Sequence, residues 1–329
     1  MAAVRRAVRR CLDQVPDPEG GVGLVACSGG ADSLALLAAA VFEARRLALR
    51  VIGVTVDHGL QPGSATHADR VVAQMAGLGA DETVAVRVCV EPAGLGVEAA
   101  AREARYAVLE EVAQRTSASV VLLGHTRDDQ AETVLLGLTR GSGGRAIAGM
   151  RAAYDVFRRP LLDVARSQTE QACRAEGIAY WEDPHNQDPR FTRSRVRHTV
   201  MPMLEAELGP GVAETLARTA EQLQEDVAAL DAIAAAAHDE VAGPDGLRVD
   251  GLLALHTAVR RRVIRLAAVA AGASPGELFR VHVVAVDELV TAYRGQRWVD
   301  LPGHLRATRE GPLLRFRPTD EAGAGAVGG

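Results

Sequence analysis

Residues 22–34, VGLVACSGGADSL, constrain the fold of this chain more than any other stretch. An apolar run of strand character ends in two adjacent glycines and an acid, and an apolar helix begins at once. A hairpin would account for the glycines but not for the helix. Gly29 and Gly30 let backbone N–H groups approach an anion without interference from a Cβ. The N-terminus of the helix adds its dipole and its unpaired donors. Ser28 and Ser33 contribute hydroxyls, and Ala31 completes the loop. Asp32 would repel a phosphate unless a divalent cation stood between them, so it points to Mg²⁺. Taken alone, the stretch also reads as a capped strand-to-helix turn. The chain contains no lysine: all 37 of its basic residues are arginine. That removes the Walker A lysine, Schiff-base chemistry and any lysyl-nucleotide intermediate. The GxGxxG spacing of dinucleotide binders is absent too.

Around this stretch the first half alternates strand and helix signals. Strand character falls at 22–27, 51–56, 84–90 and 120–124, and helix character at 33–47, 69–77, 97–115 and 128–138. Such alternation predicts an α/β fold, a Rossmann-like parallel sheet with helices on both faces. Ligands of these sheets bind at the carboxyl ends of the strands. Three polar motifs stand there: CSGGADS, DHG at 57–59 and GHTRDDQAE at 124–132. From about residue 204 the sequence is helical to 240 and again over 250–271. GASPG at 272–276 breaks it, and a third helix runs to about 292. Two or three short strands follow. The expected organisation is a catalytic domain over 1–204, a smaller, mainly helical domain with a short β element over 205–318, and a disordered tail over 319–329.

The 329 residues suffice for two domains, and the net charge of −5 confines any nucleic-acid surface to local patches. No run of about 18 apolar residues occurs, so neither a membrane span nor a signal peptide is expected. Cys11, Cys27, Cys89 and Cys173 lie far apart without a CxxC pair, which argues against zinc or disulfides and fits a reducing cytoplasm.

Three clusters carry chemistry. On the helix over 128–138, Ala131, Val134, Leu135 and Leu138 form a core-facing stripe, while Asp128, Asp129 and Glu132 fall beside it. Three such carboxylates repel unless they surround a cation, a metal or a substrate ammonium; a solvated helix start is the alternative. His125 precedes them at a strand end, placed to donate to a phosphate or to hydrogen-bond within its loop. Arg102 and Arg105 lie one turn apart near Glu98 and Glu103. Arg190, Arg193, Arg195 and Arg197 crowd with Trp181, Phe191 and His198, a composition suited to phosphate contact and base stacking or to a basic linker. Arg140, Arg145, Arg151, Arg158 and Arg159 add a basic stretch, with Gly141, Gly143 and Gly144 suggesting a mobile loop.

SGGADS resembles the pyrophosphate loop of ATP pyrophosphatases, which split ATP into AMP and pyrophosphate. Combined with DHGL (57–60), EAAAREARY (98–106), HTRDDQAET (125–133), RRPLL (158–162), WEDPHNQD (181–188) and TRSRVRHTVMPML (192–204), it resembles the tRNA(Ile)-lysidine synthase family. The likeness covers residues 25–204 in the family's order; Gln61 departs from it where a basic residue is common. The resemblance implies ATP-dependent adenylation of O2 on the wobble cytidine of a CAU-anticodon isoleucine tRNA. The ε-amine of free L-lysine then attacks C2 and releases AMP. The product, lysidine, pairs with A, so decoding moves from AUG to AUA and charging from methionine to isoleucine. It also implies ATP and Mg²⁺ as cofactors, a cytoplasmic enzyme with no membrane partner, and leaves a homodimer open. On this reading Ser28, Gly29, Gly30, Ala31, Asp32 and Ser33 hold pyrophosphate, with Asp32 at the metal, and Asp57 and His58 border the adenosine. Asp129 and Glu132 grip lysine and are candidates to take its proton, since an amine of pKa about 10.4 is mostly protonated at neutral pH. Arg105 and Arg197 neutralise phosphate or position the cytosine, and His125 assists at the α-phosphate. Arg260, Arg261, Arg262 and Arg265 are candidate tRNA contacts. The alternatives are tRNA 2-thiolation, another adenylating ligase of the superfamily, and a nucleotide sensor without turnover.

Overall fold

Successive residues of the first strands serve opposite faces of one sheet. In β1 (Val22–Ala26) Leu24 packs into one apolar cluster and Val25 into the other; β2 (Arg50–Asp57) repeats this with Ile52 and Val51. The runs are therefore apolar throughout, as strands covered on both sides must be. α1 (Ala2–Leu12), α2 (Ala31–Ala44) and α3 (Ser64–Gly77) supply Val8, Leu36 and Met75 to one face. β3 (Glu82–Arg87) is an edge strand, and α4 (Val97–Thr116) covers the opposite face with Val108, Leu109 and Val112. Each fully buried Leu or Ile here stabilises by roughly 1.5–3 kcal/mol. The computed structural model describes residues 1–16, 19–59, 63–88, 97–140, 144–183 and 187–319. Leu60, Gln61, Cys89, Gly141, Gly143, 184–186 and the tail over 320–329 lie outside the described residues, as do the side chains of Glu98 and Arg140.

β4 (Val120–Leu122), α5 (Arg127–Arg140), α6 (Gly144–Ile147), β5 (Ala153–Tyr154), β6 (Phe157–Arg158) and α7 (Arg166–Ala175) continue the unit. The sheet has six strands in the order β3-β2-β1-β4-β6-β5, all parallel except the β5 edge. The order matters for function. The chain leaves β1 toward β2 and β3, then returns to place β4 on the other side of β1. The strand order reverses there, and the crevice at such a switch point is where open α/β sheets bind ligands. The loops after β1 and β4, CSGGADS and GHTRDD, are thereby brought side by side. They touch closely: a Cβ on Gly124 would lie 3.1 Å from Ser33 Cα and 3.2 Å from the Asp32 carbonyl carbon.

α5 corrects one expectation. Ala131, Val134 and Leu136 are buried, but Leu138 is 56% exposed. Gly137 explains the turn of the stripe: its absent Cβ would sit 2.0 Å from the Ala146 carbonyl oxygen, so α6 packs on the backbone there and Leu138 faces outward.

α8 (Thr192–Arg195), a π-helical turn over Val196–Val200 and α9 (Met201–Leu208) lead to α10 (Val212–Val241). Contacts divide the chain into two units, Met1–Gln224 and Glu225–Gly329. The division falls inside α10, C-terminal of residue 205, because Gln224 Nε2 donates to the carbonyls of Ala148 (2.6 Å) and Met150 (2.8 Å) in the first unit. The second unit holds β7 (Ala242–Gly243), β8 (Gly246–Arg248), α11 (Val249–Ala254), α12 (Thr257–Ala270), α13 (Arg280–Thr291), β9 (Val299–Leu301), β10 (Leu305–Glu310) and β11 (Leu313–Pro318). Its sheet is antiparallel with five strands, β7-β8-β11-β10-β9, where two or three were expected; the β7–β8 hairpin is too short to show in the sequence pattern. The run over 250–271 is two helices, broken at His256, whose Nδ1 accepts from Ala258 N. Arg260, Arg261, Arg262 and Arg265 all have partners inside this unit. The first two pair with buried Asp287, the third with Asp231, and Arg265 donates to the carbonyls of Leu278 and Pro275. They hold the unit together. Among the described residues, no helix is long and apolar enough to cross a membrane.

Candidate active site

The loop after β1 turns on Gly29. Its φ of +83° lies in the left-handed region, and a Cβ would fall 2.8 Å from Val71 Cγ2 and 2.9 Å from His67 Cε1. Only glycine satisfies both conditions. Gly30 is extended, caps α2, and has ordinary space around it. Ser33 Oγ accepts from Ser28 N (3.2 Å) and donates to Gly30 O (3.0 Å), tying the loop to the first turn of α2. Trp181 N donates to Gly29 O (2.9 Å), and the His67 ring, 4.0 Å from the Trp181 ring, reaches Ser28 O at 3.0 Å. A rigid, glycine-turned loop at a helix N-terminus fits a pyrophosphate. Asp32 accepts a short hydrogen bond from the Thr169 hydroxyl and lies 3.6 Å from Arg166 Nε. Burial pushes its carboxyl up to about 6, against the pull of Arg166 and Thr169. One carboxylate beside a phosphate loop fits Mg²⁺, which takes one or two protein carboxylates and completes its shell with substrate phosphate and water.

The three acids of α5 have distinct partners. Asp129 Oδ2 accepts from Thr126 N (2.8 Å) and Thr126 Oγ1 (2.9 Å), closing the helix start. Its Oδ1 accepts from Arg166 Nη2 (2.7 Å) and Arg197 Nη2 (3.0 Å). Glu132, 1% exposed, accepts from Arg197 Nε (2.7 Å) and Nη2 (2.9 Å), with Arg166 at 3.4 Å and Arg193 at 3.3 Å. Asp128 Oδ2 accepts from Arg166 N (2.8 Å), at the start of α7. The cations around the acids are therefore three guanidinium groups of the chain itself. Burial alone would raise the Asp129 pKa, but Arg166 and Arg197 outweigh it and hold the carboxyl at about 2. Arg166 is held above the ordinary arginine range, burial being overcome by Asp129, Glu132 and Asp32. It is the residue that joins the loop acid to the α5 acids, and sequence reasoning missed it. RSQTEQA carries no periodic or motif signal; only its place after the RRPLL string offered a hint.

His125 follows β4. Arg159 Nε donates to its Nδ1 at 3.2 Å. Guanidinium has no acceptor, so Nδ1 holds a lone pair and the neutral ring carries its proton on Nε2. Burial, with Arg159, Arg105 and Arg102 adding to it against Asp129, pushes the imidazole down to about 3. His125 is thus a neutral hydrogen-bond donor at physiological pH. Arg105 is also held down by burial. At the end of β2, Asp57 Oδ1 accepts from Gly59 N (2.9 Å). Despite some burial, that bond, Ser64 and Arg87 hold its pKa low. Burial lowers the His58 pKa, and its Nδ1 is buried without a hydrogen-bond partner among the described residues.

Asp32, Asp129, Glu132 and Arg197 thus share one network through Arg166, with His125 beside it. Asp57 and His58 lie at the end of β2, and Arg105 on α4 adds to burial in lowering the pKa of both His58 and His125. Arg190 pairs with Asp188 and Arg195 with loop carbonyls, away from the network. Cys11, Cys27 and Cys173 are thiols that burial holds up at about 11, 12 and 11, so they are protonated and weakly nucleophilic.

A PP-loop domain family matches residues 4–204, and a TilS substrate binding domain matches residues 247–317. A tRNA(Ile)-lysidine synthase of Thermobifida fusca (strain YX) is 54% identical over 310 residues, 94% of this chain and 95% of that one. The tRNA(Ile)-lysidine synthase of Streptomyces coelicolor is 51% identical over 315 residues, 94% of this chain and 89% of its own. Among solved structures, a U34-tRNA thiolase, NcsA from Methanococcus maripaludis with its 4Fe-4S cluster, aligns with a TM-score of 0.58 at 18% identity. That alignment covers 68% of this chain and 78% of the thiolase, a likeness of fold alone. With its loop, its acid–arginine network and relatives more than half identical along nearly its whole length, the chain belongs to the tRNA(Ile)-lysidine synthase family.

Proposed function

We propose that this chain ligates free L-lysine to C2 of the wobble cytidine in a CAU-anticodon isoleucine tRNA, converting ATP to AMP and pyrophosphate. The observation that carries the reading is the ion-pair network joining the loop acid Asp32, through Arg166, to Asp129 and Glu132. It supports a reading in which one crevice takes both a pyrophosphate and an ammonium group. Residues 28–33 bind the triphosphate, with Asp32 toward Mg²⁺; Asp57 and His58 border the adenosine, where the unpartnered Nδ1 of His58 has an acceptor to offer. His125 donates from Nε2 toward the α-phosphate, and Arg105 adds positive charge from α4. Adenylation makes O2 of the cytosine a leaving group. The lysine ammonium then competes with Arg166 and Arg197 for Asp129 and Glu132, and Arg197, once displaced, turns to the phosphate charge. Asp129 is a weak base at a pKa of about 2 while both arginines hold it; loss of Arg197 raises its basicity toward that needed to accept the amine proton. The second unit, over the span that matches a substrate binding domain, contacts the body of the tRNA. The sequence belongs to a cytoplasmic enzyme whose catalytic part is 1–204 and whose tRNA-binding part is 205–318.

Release of AMP from α-labelled ATP tests the reading. The expected result is release that needs both lysine and the tRNA transcript, with labelled lysine joining the RNA. Release that needs tRNA but ignores lysine would discard the lysine site and point to another nucleophile.

A further inference from the structure

Most buried charges in this unit are paired, but among the described residues buried Arg159 and the arginines around it have no carboxylate partner. Arg159 is 6% exposed, and its donors reach only neutral acceptors: His125 Nδ1 (3.2 Å), Arg151 O (2.6 Å) and Tyr106 Oη (3.0 Å). Its guanidinium stands 4.9 Å from the Tyr154 ring centre. Arg102 donates to the same Tyr106 hydroxyl (3.3 Å), and Arg105 lies 5.9 Å from the Tyr106 ring centre. Among the described residues, none of Arg102, Arg105, Arg151 and Arg159 is ion-paired. A cavity of about 590 Å³ opens between three of them, Arg102, Arg151 and Arg159, with Thr133 and Tyr154 also on its wall. Asp155 lines it too, yet makes no ion pair with the three. Buried guanidinium without a counter-ion is unfavourable unless a ligand brings the missing charge. Burial would raise the Tyr106 phenol, but Arg159 and Arg102 hold it below its ordinary value, which registers the same unbalanced field.

The cavity is not the pyrophosphate loop. Its wall includes β5, and the sheet order sets β4 and β6 between β5 and β1. At roughly 4.8 Å per strand, β5 lies about 14 Å from the strand that carries SGGADS. Arg159 forms the floor and exposed Arg151 the mouth, so a bound phosphate has its charge buried and its chain leading outward. Arg159 also bonds His125 directly, which places this anion one side chain from the reacting crevice. We propose that the cavity bounded by Arg102, Arg151 and Arg159 binds a phosphodiester of the RNA next to the nucleotide being modified. This inference rests on the reaction proposed above.

The test measures equilibrium binding of a CAU-anticodon isoleucine tRNA transcript to the full chain, without ATP or lysine, so that its outcome does not depend on the reaction. Arg102→Gln with Arg151→Gln should weaken binding at least about tenfold. The slope of log K against log salt should fall by roughly 0.7 to 0.9 for each phosphate that the variant no longer neutralises. Arg151→Gln alone, at an exposed position, should give a smaller change of the same kind and guards against misfolding. A methylphosphonate at one of the two linkages flanking the wobble cytidine should reproduce the weakening in the unaltered chain and add nothing in the double variant. Unchanged RNA affinity and slope would overturn the inference, as would a defect confined to ATP binding, which would assign the cavity to the nucleotide. If the unaltered chain binds tRNA with these signatures yet never incorporates lysine, the reaction reading fails and the phosphodiester site stands.

Discussion

Two groups of arginines, a few side chains apart in the first unit, meet opposite surroundings. Arg166, Arg193 and Arg197 are packed among Asp32, Asp129 and Glu132, where every carboxylate has a guanidinium. Arg102, Arg105, Arg151 and Arg159 meet tyrosine, histidine and carbonyl groups. The first group is internally neutralised, so it stabilises the fold and resists entry by any ligand except a competing cation. The second leaves a surplus of positive charge, so it costs stability and attracts an anion. One residue type thus serves positioning in one place and recognition in the other, and what decides is the company each side chain keeps.

The contrast predicts unequal responses to the same substitution. Arg166→Met leaves Asp32 without a guanidinium and Asp129 and Glu132 with Arg197 and Arg193 alone, and should destabilise by about 2–3 kcal/mol, with lysine ligation falling at least about 100-fold. Urea unfolding and labelled-lysine incorporation measure both. A loss below about 1 kcal/mol would show that the acids do not depend on Arg166.

The pH response should separate the groups next. Asp129 has its folded pKa lowered, to about 2, so its contribution is present above its unfolded value near 4 and is lost as pH falls through 2. That contribution amounts to about 2 kcal/mol. Asp129→Asn should therefore flatten the acid limb of stability below pH about 4. His125 is likewise lowered, to about 3, so it favours the fold above about 6.5 and loses that contribution progressively as pH falls toward 3. His125→Asn should flatten the slope from about 6.5 downward, and ligation rates should show no inflection from His125 near neutrality. Urea midpoints between pH 3 and 8 resolve the two ranges; a slope between about 3 and 6.5 that is unchanged in His125→Asn would mean an imidazole whose pKa folding does not shift.

The smallest effect belongs to Arg159→Met. It leaves neutral acceptors unpaired and strands no charge, so it should cost about 1–2 kcal/mol. Loss equal to that of Arg166→Met would erase the distinction between the two groups. Because Arg159 sets the His125 tautomer, nitrogen chemical shifts of the imidazole should move in this variant and recover in Arg159→Lys.

Much of the architecture was legible because local patterns and global topology agree. Continuous apolar runs at 22–27 and 51–56 could only be strands covered on both faces, and SGGADS between strand and helix already placed the loop at a helix N-terminus. The short strands β5 and β6, two residues each, and the β7–β8 hairpin lie below the length at which a period can be read. The acids at 128, 129 and 132 were legible as a cluster in need of a cation. Which cation was not, since Arg166 and Arg197 reach them from helices 34 to 68 residues further along. Leu138 misled because composition says what a side chain can do, and only its neighbours say what it does.

By itself the sequence determined the residue types, the strand–loop–helix order and the backbone freedom at Gly29, all of which act over a few residues. The tertiary structure decided the rest: β4 beside β1, Arg166 between the loop and α5, Arg159 on His125, and a cavity whose arginines have no carboxylate partner among the described residues. These depend on which distant segments the sheet order brings within a few ångströms, and Coulomb and hydrogen-bond energies fall off too steeply with distance for sequence separation to stand in for it.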